Sequence, residues 1–530
     1  MNMNVGAGSG LVGAWARGLA GNPAAPVDLL MRLVEPVGLP EWAMSAWAVL
    51  CAERVVPEAV VDAVVAHRRS EPKRMLARNP YATPRQRGRL VGDPDAMVRL
   101  KVACGPGRRD WLIRPLPDDV LIELLTAQDG VHPPGLVTAT EIKQELVSSG
   151  QVPARFYAAS PSHPKAEMRQ SAASDWLHLS DAERAALLAD PDPDVRAAAE
   201  DARWVLDPLQ VQERMPRQRC HARTSMLLSY PMSRAVAEEA FDDEDGYAVA
   251  KNPYAPADLV ARLAGVAPPR IRCVIAARFD LDPEVRRALC RDPDEQVRLY
   301  AQAYGAVVTR GQHVALEIAN TEPIVDFWPR KIDEFLDLGE PRWYVRAADS
   351  DNVLLRRAAA MDARLPETQM RALAADPDTR VRALLTENHP GTPAHTMIER
   401  FVAEPQWRPL LLTLPHMPRT GLAALLDHPD AQVRALAAAD AALPEPPATL
   451  LHDPDPAVRK AAAANPLLPA HLVDQALNDA ADPARAEGAA SNAVLSAAVL
   501  WGLLEAVEAA GAAGPAGVAG PAGSAGAPNA

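Results

Sequence analysis

The sequence predicts an all-α protein built from a tandem array of short helical repeats. The first observation is a recurring motif, Asp-Pro-Asp, two variable residues and Val-Arg, in a chain of 530 residues. The second is the spacing of the closing arginines, many of which follow one another at steps of 25 or 26 residues. A fixed period of this size indicates a stacked-repeat solenoid. The motif begins at Asp93, Asp190, Asp292, Asp376 and Asp453, with a near copy at His428, and the arginines in register are Arg272, Arg298, Arg356, Arg382, Arg408, Arg434, Arg459 and Arg485.

Each copy of the motif predicts the start of a helix. In the copy at Asp376, this residue can accept a backbone N–H bond as the N-cap, and Pro377 can take the first helical position. Asp378 would then lie in the first turn, where the helix dipole favours a carboxylate. Asn388 and Pro390 predict the end of the helix. The apolar stripe between these points consists of Val381, Leu384 and Leu385.

A second motif predicts the other helix of each repeat. It reads Asn-Pro, two residues, Pro, two residues and an aliphatic pair, and this spacing gives a short helix one apolar face. Copies begin at Asn22, Asn252 and Asn465, and a shorter one begins at Asn79. We therefore expect two short helices and two proline-bearing turns in each repeat, with about 18 repeats and a period near 26 residues in all.

These motifs resemble the leucine-rich repeat variant family. The residues that carry the resemblance are Val458–Pro466, with the sequence Val-Arg-Lys-Ala-Ala-Ala-Ala-Asn-Pro, and Tyr247–Pro253, with the sequence Tyr-Ala-Val-Ala-Lys-Asn-Pro. The match covers roughly residues 15–490 and is strongest at 247–300 and 376–480. The resemblance implies a right-handed superhelix of α-helices alternating with 3₁₀ or other short helices. HEAT repeats are the neighbouring alternative, but their period is nearer 40 residues.

Composition and charge restrict the class of protein. Hydrophobic residues make up 48% of the chain, and the net charge of −13 argues against a surface built to hold a phosphate backbone. The five cysteines are scattered, which predicts reduced thiols in a cytosol and no iron–sulfur centre, metal or other cofactor. No signal peptide is recognisable, and the most apolar stretch, Ala493–Leu504, is too short to span a bilayer. We expect a cytoplasmic protein, and the excess of Ala, Pro and Arg is typical of GC-rich bacterial coding sequence.

The repeat pattern also predicts how the chain is divided. The motif is lost in two internal stretches, and an apolar helix and a Gly/Ala/Pro-rich segment follow the last arginine in register. The expected segments are a flexible N-terminus at 1–14, the solenoid at 15–490 with irregular insertions at 105–150 and 305–350, a capping helix at 491–510 and a disordered tail at 511–530.

The irregular stretch 305–350 contains the candidate binding residues. It has a large share of the aromatic side chains in a chain where aromatics make up only 5%. Insertions between repeats often form the binding face, and Trp, Tyr and Arg are typical interface anchors. The alternative is that bulky rings fill the core of a degenerate repeat. The candidates are Phe327, Trp328, Arg330, Lys331, Trp343 and Tyr344.

The regularly spaced arginines allow two interpretations. They could line an anion-binding groove, or each could pair with an aspartate of its own or the adjacent repeat and fix the stacking. Acidic residues lie shortly before most of these arginines, which favours the structural interpretation. The residues of this predicted ladder are Asp376, Arg382, Arg434, Asp453 and Arg459.

The sequence contains no recognisable catalytic set. It lacks a zinc-binding His-Glu-x-x-His motif, a P-loop, a nucleophile elbow and the kinase motifs. Gly8, Gly10 and Gly13 match a dinucleotide fingerprint formally, but no predicted strand precedes them. We expect a non-catalytic scaffold that binds an unknown partner protein on its solenoid surface. The alternatives are nucleic-acid binding through an Arg-lined concave face, and an enzyme accessory with a site in the aromatic insertion.

Overall fold

The secondary structure is helical throughout the part of the chain that the structure describes. This structure is a computed structural model, and it describes residues 9–36, 40–106, 114–127, 137–242, 245–320 and 341–512. Within these ranges it contains α-helices and 3₁₀-helices and no strand, which confirms the prediction of an all-α protein. Most of the helices are only two or three turns long.

The helices belong to two compact units. Unit 1 contains Met1–Gly107 and Pro418–Ala530, and unit 2, Arg108–Met417, is inserted between these two parts in the sequence. The α-helices of unit 1 are Ser9–Gly21, Val27–Val34, Glu41–Ala52, Glu58–Ala66, Ser70–Ala77, Pro84–Gly88, Ala96–Cys104, Ala431–Ala438, Pro456–Ala464, Ala470–Leu477, Pro483–Ala490 and Ala497–Ala512, and its 3₁₀-helices are Ala423–Leu425 and Ala448–His452.

Unit 2 has the same alternation of short helices and turns. Its α-helices are Asp118–Thr126, Ala139–Ser148, Ala154–Ala159, Ala166–Ala172, Asp181–Leu188, Pro193–Ala202, Pro208–Arg214, His221–Ser229, Arg234–Asp242, Gly246–Lys251, Ala257–Val266, Pro269–Ala276, Pro283–Leu289, Glu295–Gly305, Arg310–Asn320, Pro341–Ala348, Val353–Ala359, Glu367–Ala374, Thr379–Asn388, Ala394–Ala403 and Arg408–Leu411. Its 3₁₀-helices are Ser160–Ser162, Ala173–His178, Arg203–Leu206 and Pro405–Trp407.

The Asp-Pro-Asp motif starts a helix with its third residue and not with its first. In the copy at Asp376, the N-cap is Asp378, whose carboxylate accepts the N–H of Val381 at 2.9 Å. Asp376 accepts the N–H of Asp378 at 2.8 Å and closes a turn ahead of the helix, so that Pro377 lies in this turn. The prediction that Asp376 is the cap and Pro377 the first helical residue is therefore wrong. The third aspartate is likewise the N-cap at Asp95, Asp192, Asp294 and Asp455.

The asparagine of the second motif connects neighbouring repeats. Asn465 is buried, and its amide donates to the carbonyl oxygens of Ala438 and Asp440, both at 2.8 Å. Its side-chain oxygen accepts the N–H of Leu467, also at 2.8 Å. One side chain therefore satisfies backbone groups of two repeats, which would otherwise be buried without partners. The same three-way contact is made by Asn22, Asn79, Asn252 and Asn492.

Arginine takes the place of this asparagine at two positions. Nη1 of Arg54 donates to the carbonyls of Ala20 at 2.7 Å and Asn22 at 3.2 Å. Arg278 makes the corresponding pair of bonds in unit 2 and keeps its remaining nitrogens on Asp280. A guanidinium group can replace the amide because it also directs two N–H donors towards adjacent acceptors.

The core of each unit lies between successive helices and consists mainly of Ala, Leu and Val side chains. Among the largest fully buried side chains are Trp15 and Trp47 in unit 1 and Tyr344 and Phe401 in unit 2. The segment predicted as a capping helix at 491–510 overlaps the helix Ala497–Ala512, which starts later and ends two residues beyond it. This helix packs against Ser9–Gly21 and Glu41–Ala52 of unit 1.

We expect Asn465→Ala to destabilise the protein by about 2–3 kcal/mol, because it leaves two buried carbonyls and one N–H without partners. Asn478→Ala is the matched control, since Asn478 is exposed and donates only to the carbonyl of Asp474 in its own helix. Its cost should stay within about 0.5 kcal/mol. Urea unfolding measures both, and equal losses would contradict a role for Asn465 in joining repeats.

Candidate partner-binding groove

The structure corrects part of the predicted binding site. The residues Phe327, Trp328, Arg330 and Lys331 lie outside the described residues. Trp343 is only 4% exposed and Tyr344 is fully buried, and both belong to the core of unit 2. The indole N–H of Trp343 donates to the carbonyl of Ala306 at 3.1 Å, and the two rings meet edge to face at 4.8 Å between centroids. The prediction that these two rings are exposed anchors is therefore wrong, because they fill the core.

The regularly spaced arginines join the turn of one repeat to the turn of the next. Arg434 donates two hydrogen bonds to the carboxylate of Asp453, at 2.8 and 3.0 Å. Its Nη1 also donates to the carbonyls of His428 and Pro429, at 2.8 and 2.9 Å, in the turn before its own helix. The guanidinium therefore connects two successive turns. The same type of pair forms between Arg169 and Asp190, Arg272 and Asp292, Arg356 and Asp376, and Arg459 and Asp482.

Four of the eight arginines in register, namely Arg298, Arg382, Arg408 and Arg485, depart from this pattern within the described residues. Arg382 donates to the backbone carbonyl of Asp376 at 2.5 Å, and it has no carboxylate partner among the described residues. Arg408 keeps the spacing but is buried, and its Nε donates to the carbonyl of Phe401 at 2.8 Å. Correct spacing in the sequence therefore does not guarantee the same partner in the fold.

Arginines favour the charged form of three aspartates in these pairs, Asp190, Asp292 and Asp453. Hydrogen bonds from Arg434 keep the pKa of Asp453 below its ordinary value, and backbone and Coulombic contributions act in the same direction. The pKa of Asp190 is lowered chiefly by Arg169, and that of Asp292 chiefly by Arg272. The guanidinium groups in these pairs are largely neutralised by their carboxylates, so they offer little free positive charge to another molecule.

A groove in unit 2 contains side chains that the repeat contacts do not use. It has a volume of about 650 Å³ and lies beside the helices Asp181–Leu188, Pro193–Ala202 and Pro208–Arg214. Its lining includes Trp176 and Trp204. These two residues are 28 positions apart, close to one repeat period, so that equivalent positions of adjacent repeats bring the two rings to the same groove. The charged lining residues are Asp181, Arg184, Glu200, Asp201, Arg203, Asp207 and Arg214.

Trp176 lines the groove, but its indole N–H is buried. Its side chain is 3% exposed, and the indole N–H has no hydrogen-bond partner within the described part of the chain. A buried donor without a partner costs about 1–3 kcal/mol relative to a paired one.

Trp204 and Arg214 form a stacked pair at the groove. The guanidinium carbon of exposed Arg214 lies 4.5 Å from the centroid of the half-buried Trp204 ring, in cation–π contact. The other edge of Trp204 is held by Tyr230, with centroids 5.6 Å apart and the rings nearly perpendicular. Arg214 therefore presents a positive charge on a rigid aromatic support.

The other charges of the groove are mostly paired with one another. Arg184 bonds Asp181 at 2.8 Å, and Arg203 bonds Glu200 at 2.8 Å. Asp201 is exposed and forms no ion pair with any described residue. The groove therefore offers a ligand one free carboxylate and one cation supported by an indole.

The sequence matches no family model and no curated protein. Within the described residues, no three His, Cys, Asp or Glu side chains lie close enough together to hold a metal ion. The five cysteines are unpaired thiols, and burial raises the pKa of Cys51 to about 12. No described helix is long and apolar enough to cross a membrane.

An arginine that pairs with an aspartate should stabilise the protein more than one that bonds only a backbone carbonyl. We expect Arg434→Ala to cost about 2–3 kcal/mol, because it leaves the carboxylate of Asp453 and two carbonyls without their donor. Arg382→Ala removes one bond to a carbonyl and should cost about 1 kcal/mol. Urea unfolding of both variants measures the difference, and equal costs would show that the carboxylate pair contributes nothing beyond the carbonyl contact.

The aspartate–arginine pairs should also make stability depend on pH. The pKa values of Asp190, Asp292 and Asp453 are lowered in the folded protein, so their stabilisation is complete above the pKa of an unfolded aspartate, about 3.9. The stabilisation is lost as the pH falls through the lower folded pKa values. We expect the urea midpoint to fall steeply below about pH 4 and less steeply in Arg434→Ala, where one pair is missing. If the urea midpoint falls equally with pH in the two proteins, the pair of Arg434 and Asp453 does not contribute to the pH dependence.

Proposed function

We propose that this protein is a non-catalytic scaffold that binds a partner protein. In this proposal its helices form a right-handed α-solenoid of about 18 two-helix repeats of the leucine-rich repeat variant type, in the cytoplasm. The support for a repeat array is the recurrence of the same contacts, namely the asparagine bridges and the arginine–aspartate pairs, at steps close to the sequence period. Arrays of this kind commonly function through their surfaces.

The observation that carries the proposal is the groove at Trp176 and Trp204. Tryptophan and arginine are the side chains that most often dominate protein interfaces, because they bury a large area and keep a polar group. A peptide segment fits the free groups, because an acidic side chain can pair with Arg214 and a basic one with Asp201. We therefore assign the contact site to this groove.

The nucleic-acid alternative receives less support from the contacts. A phosphate-binding face requires arginines with free donors, whereas the arginines of the ladder direct theirs at carboxylates and carbonyls. The alternative with a site in the aromatic insertion depends on residues that lie mostly outside the described part of the chain.

The groove can be tested by photo-crosslinking in the native host. A benzoylphenylalanine at Gln210, which lines the groove, should cross-link a discrete protein, whereas the same group at Val308 should not. Val308 is the matched control because it belongs to the same unit, is 77% exposed and does not line the groove. Adding Arg214→Glu should lower the cross-linking yield about tenfold or more without changing the melting temperature, since Arg214 is exposed.

Two outcomes would contradict the proposal. The first is the same set of cross-linked products from both positions, which would indicate random encounters. The second is a cross-linking yield that Arg214→Glu does not lower. This result would show that Arg214 is not part of the contact site. Cross-linking of Gln210 to RNA or DNA instead of protein would support the nucleic-acid alternative.

A further inference from the structure

The first described helix packs against one of the last. In unit 1, Ser9–Gly21 lies against Pro483–Ala490. The indole N–H of Trp15 donates to the carbonyl of Leu477 at 2.8 Å, and Arg17 bonds the carboxylate of Glu487 at 2.6 Å. These contacts connect residues more than 460 positions apart, so no local sequence preference accounts for them.

The contact has the same hydrogen bonds as an interior contact between repeats. Asn492 donates to the carbonyls of Ala463 at 3.0 Å and Asn465 at 2.8 Å, in the preceding repeat. Asn22 donates in the same way to the carbonyls of Ala490 at 2.9 Å and Asn492 at 3.0 Å. The helix Ser9–Gly21 therefore occupies the position that the next repeat after Asn492 would occupy.

Two glycines show that the helix spacing is also the same. Gly18 precedes Asn22 by four residues, and Gly488 precedes Asn492 by four. A Cβ atom at Gly18 would lie 2.4 Å from Cβ of Ala490 and 2.5 Å from the carbonyl oxygen of Glu487. A Cβ atom at Gly488 would lie 2.1 Å from the carbonyl oxygen of Lys460. Both positions require glycine because another backbone passes within contact distance of the Cα atom.

Glu487 is shared between the two contacts. Its side chain is buried, and its carboxylate pairs with Arg17 of the first helix and with Lys460 of the preceding repeat. A buried carboxylate needs cationic partners, and here one partner comes from each side. Removal of the first helix would take away one of the two.

We propose that the face formed by Pro483–Ala490 and Asn492 is a helix-docking surface, and that its ligand is the chain's own helix Ser9–Gly21 with Asn22, bound in cis. The recognised pattern is Trp-x-Arg-Gly-x-x-x-Asn, in which each named residue makes one of the contacts above. The cis arrangement is favoured because the tether between helix and surface gives the pair a high effective concentration. The inference rests on unit 1 alone and does not depend on the proposed groove in unit 2.

The test makes the docked helix removable. A protease site is inserted in the full chain between Ala24 and Ala25, in the turn that follows Asn22, and the purified protein is cleaved there. We expect the released segment to stay bound through gel filtration. Excess labelled peptide with the sequence of residues 9–24 should then exchange into the complex, as followed by native mass spectrometry. The same cleaved chain is used with every peptide. Its folding therefore does not depend on the substitutions in the peptides.

Matched peptide variants make the test specific. Gly18→Ala should weaken exchange at least about tenfold, because its methyl group would collide with Ala490 and the carbonyl of Glu487. Gly13→Ala is the control, since it gains the same helix propensity and its Cβ would meet only the end of Arg17 at 3.7 Å.

Three outcomes would overturn the inference. The released segment could elute apart from the cleaved chain, or the Gly18→Ala peptide could exchange as well as the Gly13→Ala peptide. Alternatively, the uncleaved protein could be a dimer that excess peptide separates, in which case the helix of a second copy occupies the surface and the cis assignment is wrong.

Discussion

The structure depends on one constraint, which is that very short helices leave a large share of their backbone groups unpaired. An α-helix cannot satisfy its last four carbonyl groups internally, and in an eight-residue helix such as Pro483–Ala490 that is half of them. The chain meets this requirement with side chains from the following repeat, which direct two N–H donors at two carbonyls. Asn465 does this with its amide and Arg278 with its guanidinium group. A repeat is therefore incomplete until its neighbour is in place, and the backbone requirement sets the order of stacking.

The periodic part of the sequence was sufficient to predict helices, while their junctions were not predictable from local preferences. Asp376 and Asp378 are equally good caps by residue type, and each accepts hydrogen bonds from an arginine of the preceding repeat, Arg356 and Arg357. They differ in the backbone N–H that each accepts, which is that of Asp378 for Asp376 and that of Val381 for Asp378. The motif that begins at Asn465 predicted only a second helix, whereas the amide of this residue donates to carbonyls some 25 residues earlier. The residues of a single helix do not indicate a hydrogen-bond partner that lies one repeat earlier.

The functional residues were harder to predict, for a different physical reason. A scarce aromatic side chain can be an anchor or a core filler, and residue type does not separate the two uses. The irregular stretch predicted Trp343 as a binding residue, but the fold buries it. Trp176 and Trp204, which line the groove, lie outside the irregular stretches and were not predicted. Their separation of 28 residues, close to the sequence period, was the available signal, and both residues line the groove. Recognition sites in such arrays are better sought by comparing equivalent positions than by looking for breaks.

The contact between Trp15 and Leu477 has a consequence for synthesis of the chain on the ribosome. The helix Ser9–Gly21 is made long before Pro483–Ala490, and the 468 residues that separate Asn22 from Ala490 require roughly half a minute to a minute and a half of translation. During that time the indole N–H of Trp15 lacks its acceptor, the carbonyl of Leu477, and the helix Ser9–Gly21 lacks the helix Pro483–Ala490 that packs against it in the finished fold. The junction is among the last contacts that can form, since contacts of such high sequence separation must wait for the whole intervening chain. Until then the nascent chain exposes an apolar surface to chaperones.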